Sequence, residues 1–177
     1  SSTCKNDSFP HDWKILFLIK IIVMGIHIIK HANGAPGLRF LGLGPSFLPC
    51  KGIEKLQKLF DQNTFWAKNR NSNNIRKMLA NSSGIVSIWD SQQLIGFGRV
   101  TTDSVYRAVI WDVVVDSNYQ GSGIGTLVIE EILNMKRLKN INKIYLMTTN
   151  KKDFYLQMGF KIENKQYLML KEKLNFI

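Results

Sequence analysis

The chain has 177 residues, 45% of them apolar and 21% charged, with 24 Lys and Arg against 13 Asp and Glu for a formal net charge of +11. This is the length of one ordinary domain with enough apolar residues for a core, which excludes wholesale disorder. The charge implies anionic partners (a phosphorylated cofactor, nucleic acid or an acidic membrane), or else follows from a composition rich in Lys, Asn and Ile. The two cysteines, Cys4 and Cys50, form no CxxC, and the three histidines, His11, His27 and His31, all lie near the N-terminus. Neither a metal site nor a disulfide framework is expected, and a reducing compartment fits better.

Residues 1–12 are polar and are expected to be disordered. Residues 13–29, WKILFLIKIIVMGIHII, are strongly apolar and read as a membrane span, an interfacial anchor or a first strand. Their short length and the central Lys20 weigh against a span, since a lysine at mid-bilayer costs about 2.5–3.5 kcal/mol. Residues 1–30 are therefore taken as an N-terminal extension, an apolar anchor or extra strand, and 31–177 as the folded domain. The Gly/Pro-rich stretch 31–52 reads as loops around one short strand, Leu38–Leu43. Ile53, Leu56, Leu59 and Phe60 have helical spacing, and Asn73 or Asn74 is a candidate cap for a second short helix carrying Ile75, Met78 and Leu79.

Two strands follow, Ile85–Trp89 and Leu94–Thr101, joined by a turn at Asp90-Ser91-Gln92. Ala108–Val115, AVIWDVVV, reads as a central strand buried on both faces and interrupted by Asp112. From Gly123 the pattern turns helical, with Ile124, Leu127, Val128, Ile132 and Met135 on one face. A strand over Lys143–Thr148, a short helix over Lys152–Met158 ended by Gly159, and a last strand over Tyr167–Leu170 complete the chain. The order is mixed α/β with one strand–loop–helix unit at its centre.

That unit carries the chemistry. Gln120-Gly121-Ser122-Gly123-Ile124-Gly125-Thr126 follows a strand and opens a helix. Glycines let the backbone approach an anion, and the helix N-terminus adds roughly half a positive charge, so the segment is a candidate pyrophosphate cradle. A dinucleotide fingerprint needs GxGxxG near the first strand and an acid after the next strand; a P-loop needs Gly-Lys-Ser/Thr. Neither pattern is met.

Val113 to Gly125 resembles motif A of the GNAT superfamily of N-acetyltransferases, whose core is Gln/Arg-x-x-Gly-x-Gly/Ala. Asp153-Phe154-Tyr155-Leu156-Gln157-Met158-Gly159-Phe160 resembles its motif B. Ile110–Asp116 with Tyr119-Gln120-Gly121, Leu59-Phe60-Asp61, Phe65-Trp66 and Leu94–Arg99 are similar to a chloroplast and cyanobacterial group. That group includes plant serotonin N-acetyltransferases of melatonin biosynthesis and a gene on red-algal plastid genomes. The likeness covers roughly residues 53–170.

The resemblance implies a central mixed, mostly antiparallel sheet, flanked by helices and splayed between its fourth and fifth strands. It implies acetyl-CoA as co-substrate and no metal. Pantetheine would pair with main chain at Val113, Val114 and Val115; pyrophosphate would rest on Gln120, Gly121, Ser122, Gly123, Ile124, Gly125 and Thr126; Asn150 and Tyr155 would add cofactor contacts. The acceptor would lie near Trp111, Asp112 and Thr148, where the plant relatives carry an acid in place of Thr148. Tyr155 is the candidate proton donor to the departing thiolate, because a phenol's pKa of about 10 lies above a thiol's roughly 8.5. Asp112 is the candidate for holding or deprotonating the amine and Trp111 for stacking an aromatic acceptor. Neighbours on a strand face opposite sides, so both serve one cleft only if the splay or a bulge intervenes.

Bland roles stand beside these. Asp112 pairs equally well with Arg99 or Arg107, Trp111 and Tyr155 fit a core, Asn150 fits a helix cap, and Lys136, Arg137, Lys139, Lys143, Lys151 and Lys152 fit a solvated face as well as a site for the 3′-phosphate of CoA. The acceptor expected is a small arylalkylamine such as serotonin or tryptamine, with a protein Lys or N-terminal amine as the alternative and a non-catalytic basic binding module as a third. No nucleic-acid signature is present, membrane contact is confined to residues 13–29, and a homodimer stays open. Location in the plastid stroma rests on the resemblance, with the cytoplasm as the prokaryotic counterpart.

Overall fold

The computed structural model describes residues 25–173. The polar start and most of the apolar segment, up to residue 24, lie outside the described residues. The chain divides into two compact units, Ser1–Met147 and Thr148–Ile177.

The first unit is built on a five-stranded sheet in the order β1 (Ile26–His31), β2 (Gly84–Asp90), β3 (Gln93–Thr102), β4 (Arg107–Val115) and β5 (Lys143–Leu146). The first three pairings are antiparallel and β4–β5 is parallel. The described end of the N-terminal extension is thus a strand: Ile26–His31 pairs with Ile85–Asp90, and the sheet begins before residue 31. β2 is the strand buried throughout, except at Asp90. β4, expected to be buried on both faces, is half-buried at Trp111, Asp112, Val113 and Val115, because β5 covers it only as far as Ile110.

One helical layer holds α1 (Pro36–Leu41), α2 (Gly52–Asn63) and α3 (Ser72–Ala80). α1 replaces the strand expected over Leu38–Leu43. Pro36 occupies its first turn, where no amide donor is needed, and Gly42 at φ 61° ends it by donating its N–H to the Leu38 carbonyl. α2 buries Ile53, Leu56, Leu59 and Phe60, and the Phe60 ring meets buried Phe97 of β3 edge-on at 5.6 Å. α3 is capped two or three residues earlier than the Asn73/Asn74 reading: the Asn71 side chain accepts from the Asn74 amide at 2.8 Å.

α4 (Ile124–Leu133) contributes buried Ile124, Leu127, Val128, Ile129 and Ile132. It lies so close to β3 that a Cβ on Gly98 would stand 2.5 Å from Val128 Cγ1, and one on Gly96 would stand 2.8 Å from Ile124 Cγ2. The small residues of β3 therefore set how near the loop before α4 comes to the end of β4.

In the second unit, α5 (Lys152–Gln157) is followed by Gly159 at φ 87°, as expected of a C-terminal glycine. The strand expected over Tyr167–Leu170 is not formed; those side chains are exposed and their backbone has no ladder partner among the described residues. No helix among the described residues is long and apolar enough to cross a membrane.

Candidate active site

Opposite β4, the register with β3 slips. Phe97 pairs with Val114 and Arg99 with Trp111, so the single residue Gly98 faces both Asp112 and Val113. This is a β-bulge, and Asp112 takes it up at φ 52°, a left-handed conformation that Asp tolerates better than most side chains. The bulge cancels the alternation that would have sent Trp111 and Asp112 to opposite faces. Both now meet Arg99: its Nε donates to Asp112 Oδ2 at 2.6 Å, and its guanidinium lies 5.7 Å from the Trp111 ring centre.

The Asp112 carboxylate is clamped from both sides. Arg70, in the loop between α2 and α3, places Nη1 3.1 Å from Oδ1 and stacks its guanidinium over Phe60 at 5.2 Å. The side-chain exposures are 6% for Asp112, 15% for Arg99 and 30% for Arg70. The pairing with Arg99 was one of the roles open to Asp112 from sequence. Arg70 was not anticipated, since nothing in the sequence brings that loop to the bulge.

Trp111 is half-buried, and its indole N–H donates to Thr101 Oγ1 at 2.8 Å. Its ring forms one wall of an open cavity of about 430 Å³ completed by Lys77 and Met78 of α3, by Asn81 at the C-cap of that helix, and by Arg99 and Thr101 of β3.

Beyond Ile110, β4 has no strand on its β5 side, so the outer edge of Trp111–Val115 has no ladder partner among the described residues. The Val114 side chain is in the core, which leaves only its main chain for a ligand. The turn that follows is held firmly. Asp116 accepts from the Asn118 amide at 2.9 Å and from Gln93 Nε2 at 3.1 Å. Asn63 Oδ1 accepts from the Ser117 amide at 2.8 Å, and the Tyr119 hydroxyl donates to Asp90 Oδ2 at 2.7 Å. That carboxylate raises the Tyr119 pKa above its ordinary value.

The glycine loop leads from this turn into α4. Gly121 has φ 76° and Gly123 φ 89°, left-handed values that favour glycine. The Ser122 hydroxyl donates to the Tyr119 carbonyl, and Gln120 Nε2 reaches back to the Val115 carbonyl at 3.3 Å. The first amide inside α4 to find a carbonyl is that of Leu127, which donates to Gly123. Among the described residues the amides of Gly121, Gly123, Ile124, Gly125 and Thr126 donate to none. Such a row of free N–H groups at a helix N-terminus fits a polyanion such as a pyrophosphate.

Thr148, Asn150 and Tyr155 belong to the second unit. Thr148 Oγ1 accepts from the Lys151 amide at 3.1 Å. Asn150 is exposed and does not cap α5, whose N-cap position falls on Lys151. Tyr155 is half-buried, with its ring against Phe154 at 4.9 Å and Phe160 at 5.8 Å. Burial pushes its phenol above the ordinary value of about 10. No cluster of His, Cys, Asp or Glu among the described residues is arranged to hold a metal ion.

An unpaired strand edge, a turn and a glycine-lined helix N-terminus thus lie one after another along the chain. Residues 81–162 match the family model described as an acetyltransferase (GNAT) domain. The chain is 32% identical over 120 residues to the uncharacterised N-acetyltransferase ycf52 of Gracilaria tenuistipitata var. liui, a match covering 65% of each chain. It is 37% identical over 73 residues to the chloroplastic GCN5-related N-acetyltransferase 2 of Arabidopsis thaliana, covering 41% of this chain and 28% of that one. It is 36% identical over 75 residues to the histone acetyltransferase TAP1 of Glycine max, covering 42% and 32%. The matches span just under two thirds of the ycf52 protein and about a third of the plant ones. In fold the chain is similar to a GNAT family acetyltransferase from Streptococcus pneumoniae TIGR4, with a TM-score of 0.61 and 21% identity over 84% of this chain and 99% of that one. Residues 81–162 thus match a GNAT acetyltransferase domain, and the chain has the mixed five-stranded sheet and flanking helices of that fold.

Proposed function

We propose that the protein transfers an acetyl group from acetyl-CoA to a primary amine. The observation that carries this reading is the set of free amides of Gly121, Gly123, Ile124, Gly125 and Thr126, which follow the unpaired edge of β4 in the chain. The pyrophosphate of CoA would take the amides. The pantetheine arm would add to β4 along Val113–Val115 as an extra strand, delivering the thioester toward the bulge. GNAT acetyltransferases use acetyl-CoA, and no metal enters the reaction as proposed.

Positioning supplies much of the rate in such a transfer. The neutral amine attacks the thioester carbonyl, main-chain N–H groups along the β4 edge stabilise the oxyanion, and the C–S bond breaks as the tetrahedral intermediate collapses. The thiolate takes a proton, for which the motif B resemblance nominates Tyr155; its raised pKa keeps the phenol protonated at neutral pH. Asp112 is better placed as a strut than as a base, since both its oxygens already accept from guanidinium groups. The amine's proton would then leave through water.

For the acceptor, the open form of the cavity at Trp111 favours an amine on a peptide or protein. An arylalkylamine such as serotonin or tryptamine is the second reading, favoured by the single aromatic wall, Trp111. Plastid location is proposed from the chloroplastic relative.

The test is turnover, followed as CoA release, with tryptamine, serotonin and a peptide amine, for wild type and Gly121→Ala. Acetylated product with wild type and a markedly raised acetyl-CoA KM in the variant support the reading; acetyl-CoA binding unaffected by the substitution refutes the cofactor site.

A further inference from the structure

The cavity beside the bulge has a chemical bias that the fold does not require. Its lining has two cations, Lys77 and Arg99, two neutral polar groups, Asn81 and Thr101, and two apolar side chains, Met78 and Trp111. It has no acid. Asp112 does not cancel the charge, because Arg70 and Arg99 share its one carboxylate and the trio keeps a net positive charge. Lys77 adds a second charge from the last turn of α3, where it is exposed.

We infer that this cavity selects acceptor amines that carry an anionic group on the same molecule, and disfavours polyamines and Lys-rich peptides. The inference rests on the acetyltransferase reading and names its acceptor class. Two effects act together. A carboxylate on the acceptor pairs with Lys77 and the Arg70–Asp112–Arg99 trio, while a second cation is repelled by them. The same positive field disfavours the ammonium form of the reacting group, so more of the amine is neutral and able to attack. Trp111 and Met78 offer the apolar surface on which the acceptor's body lies. A carboxylate can come from a neighbouring acidic side chain in a peptide or from the acceptor's own carboxyl group, and the test separates the two.

The experiment measures kcat/KM at saturating acetyl-CoA, at low and at physiological salt. One arm compares peptides that differ only in whether Glu, Gln or Lys flanks the acceptor residue. The other compares tryptophan with tryptamine. Wild type, Lys77→Gln and Lys77→Glu are assayed, with the acetyl-CoA KM as an internal control. Lys77 is exposed, and among the described residues its side chain makes no hydrogen bond or ion pair; its main-chain carbonyl accepts from Asn81.

The expected order is Glu above Gln above Lys, each step about fivefold to tenfold at low salt and smaller at physiological salt, as an exposed charge contact predicts. Lys77→Gln should shrink each step and Lys77→Glu flatten the order, because the net positive charge of the trio remains in both variants, with the acetyl-CoA KM unchanged. Dependence in the peptide arm alone assigns the anion to a flanking side chain; in the tryptophan arm alone, to the acceptor's carboxyl group. Turnover indifferent to acceptor charge, or highest on the Lys-flanked peptide, overturns the inference and leaves the acetyltransferase reading intact. Acetyl-CoA binding without transfer to any amine overturns both.

Discussion

Replacing Asp112 by Asn separates two roles for the conspicuous acid in β4. The substitution is close to isosteric, and Asn tolerates φ 52° at least as well as Asp, so backbone strain stays nearly constant. What is lost is one charge, 6% exposed, facing Arg99 and Arg70 at 15% and 30%. Removing one partner of a buried ion pair costs about 3–5 kcal/mol, mostly from the charge left behind. Arg70 can turn to water, and Asn keeps one acceptor oxygen, so about 2–3 kcal/mol is expected, or roughly 4–12 °C in Tm for a domain of this size. Urea melts of wild type, Asp112→Asn, Arg70→Met and the double variant measure it. The double variant should cost less than the two single costs added together, with a coupling of about 1 kcal/mol or more in the cycle. If Asp112→Asn melts within about 0.5 kcal/mol of wild type while turnover collapses, Asp112 is a proton acceptor and the strut argument is wrong.

Other outcomes follow from the same geometry. Gly121→Ala meets no protein atom within 4 Å, so its stability cost should be only the left-handed φ, about 1–2 kcal/mol; its acetyl-CoA KM should rise about tenfold or more, because the methyl group enters the anion's space. Tyr155→Phe should keep its fold and lose about 10²-fold or more in kcat. The basic limb of the wild-type kcat profile should lie above the ordinary tyrosine range, because the phenol's pKa is raised, and should vanish in the variant. Gly98→Ala should destabilise by about 1–3 kcal/mol by pushing α4 off β3, seen as a lower urea midpoint. His31, bonded through Nε2 to buried Ser87 at 2.7 Å, has its pKa lowered to about 4 by burial. The folded state therefore holds the neutral ring; its contribution, no more than about 3 kcal/mol, is fully present above the unfolded value near 6.5 and is lost as pH falls from there toward 4. His31→Gln should remove that part of the pH dependence of unfolding.

Much of this fold is written locally. The two apolar runs in residues 84–102, split by the turn at Asp90-Ser91-Gln92, and the apolar face of 124–132 are strong signals, and the glycine loop sits where strand pattern gives way to helix pattern. The failures have local causes too. Leu38, Phe40 and Leu43 mimic a strand unless Pro36 and Gly42 are read as the two ends of a helix. Tyr167–Leu170 has strand composition, but a strand exists only where a partner supplies its hydrogen bonds, and composition does not specify one. The bulge was the deepest gap. Nothing in AVIWDVVV marks Asp112 for a positive φ; what demands it is Gly98 across the ladder and two arginines from separate elements. Arg70 could be found only once α2 and α3 were packed against the sheet.

The central claim is that the free amides of Gly121, Gly123, Ile124, Gly125 and Thr126 and the unpaired edge of β4 bind acetyl-CoA for transfer to an amine. Mass spectrometry of an amine panel incubated with the protein and isotope-labelled acetyl-CoA tests it most directly, run beside Gly121→Ala. The account predicts label on at least one amine with wild type, at a rate the variant recovers only at higher acetyl-CoA. Label transfer equally efficient in the variant at limiting acetyl-CoA, or CoA release with no labelled amine, would contradict it.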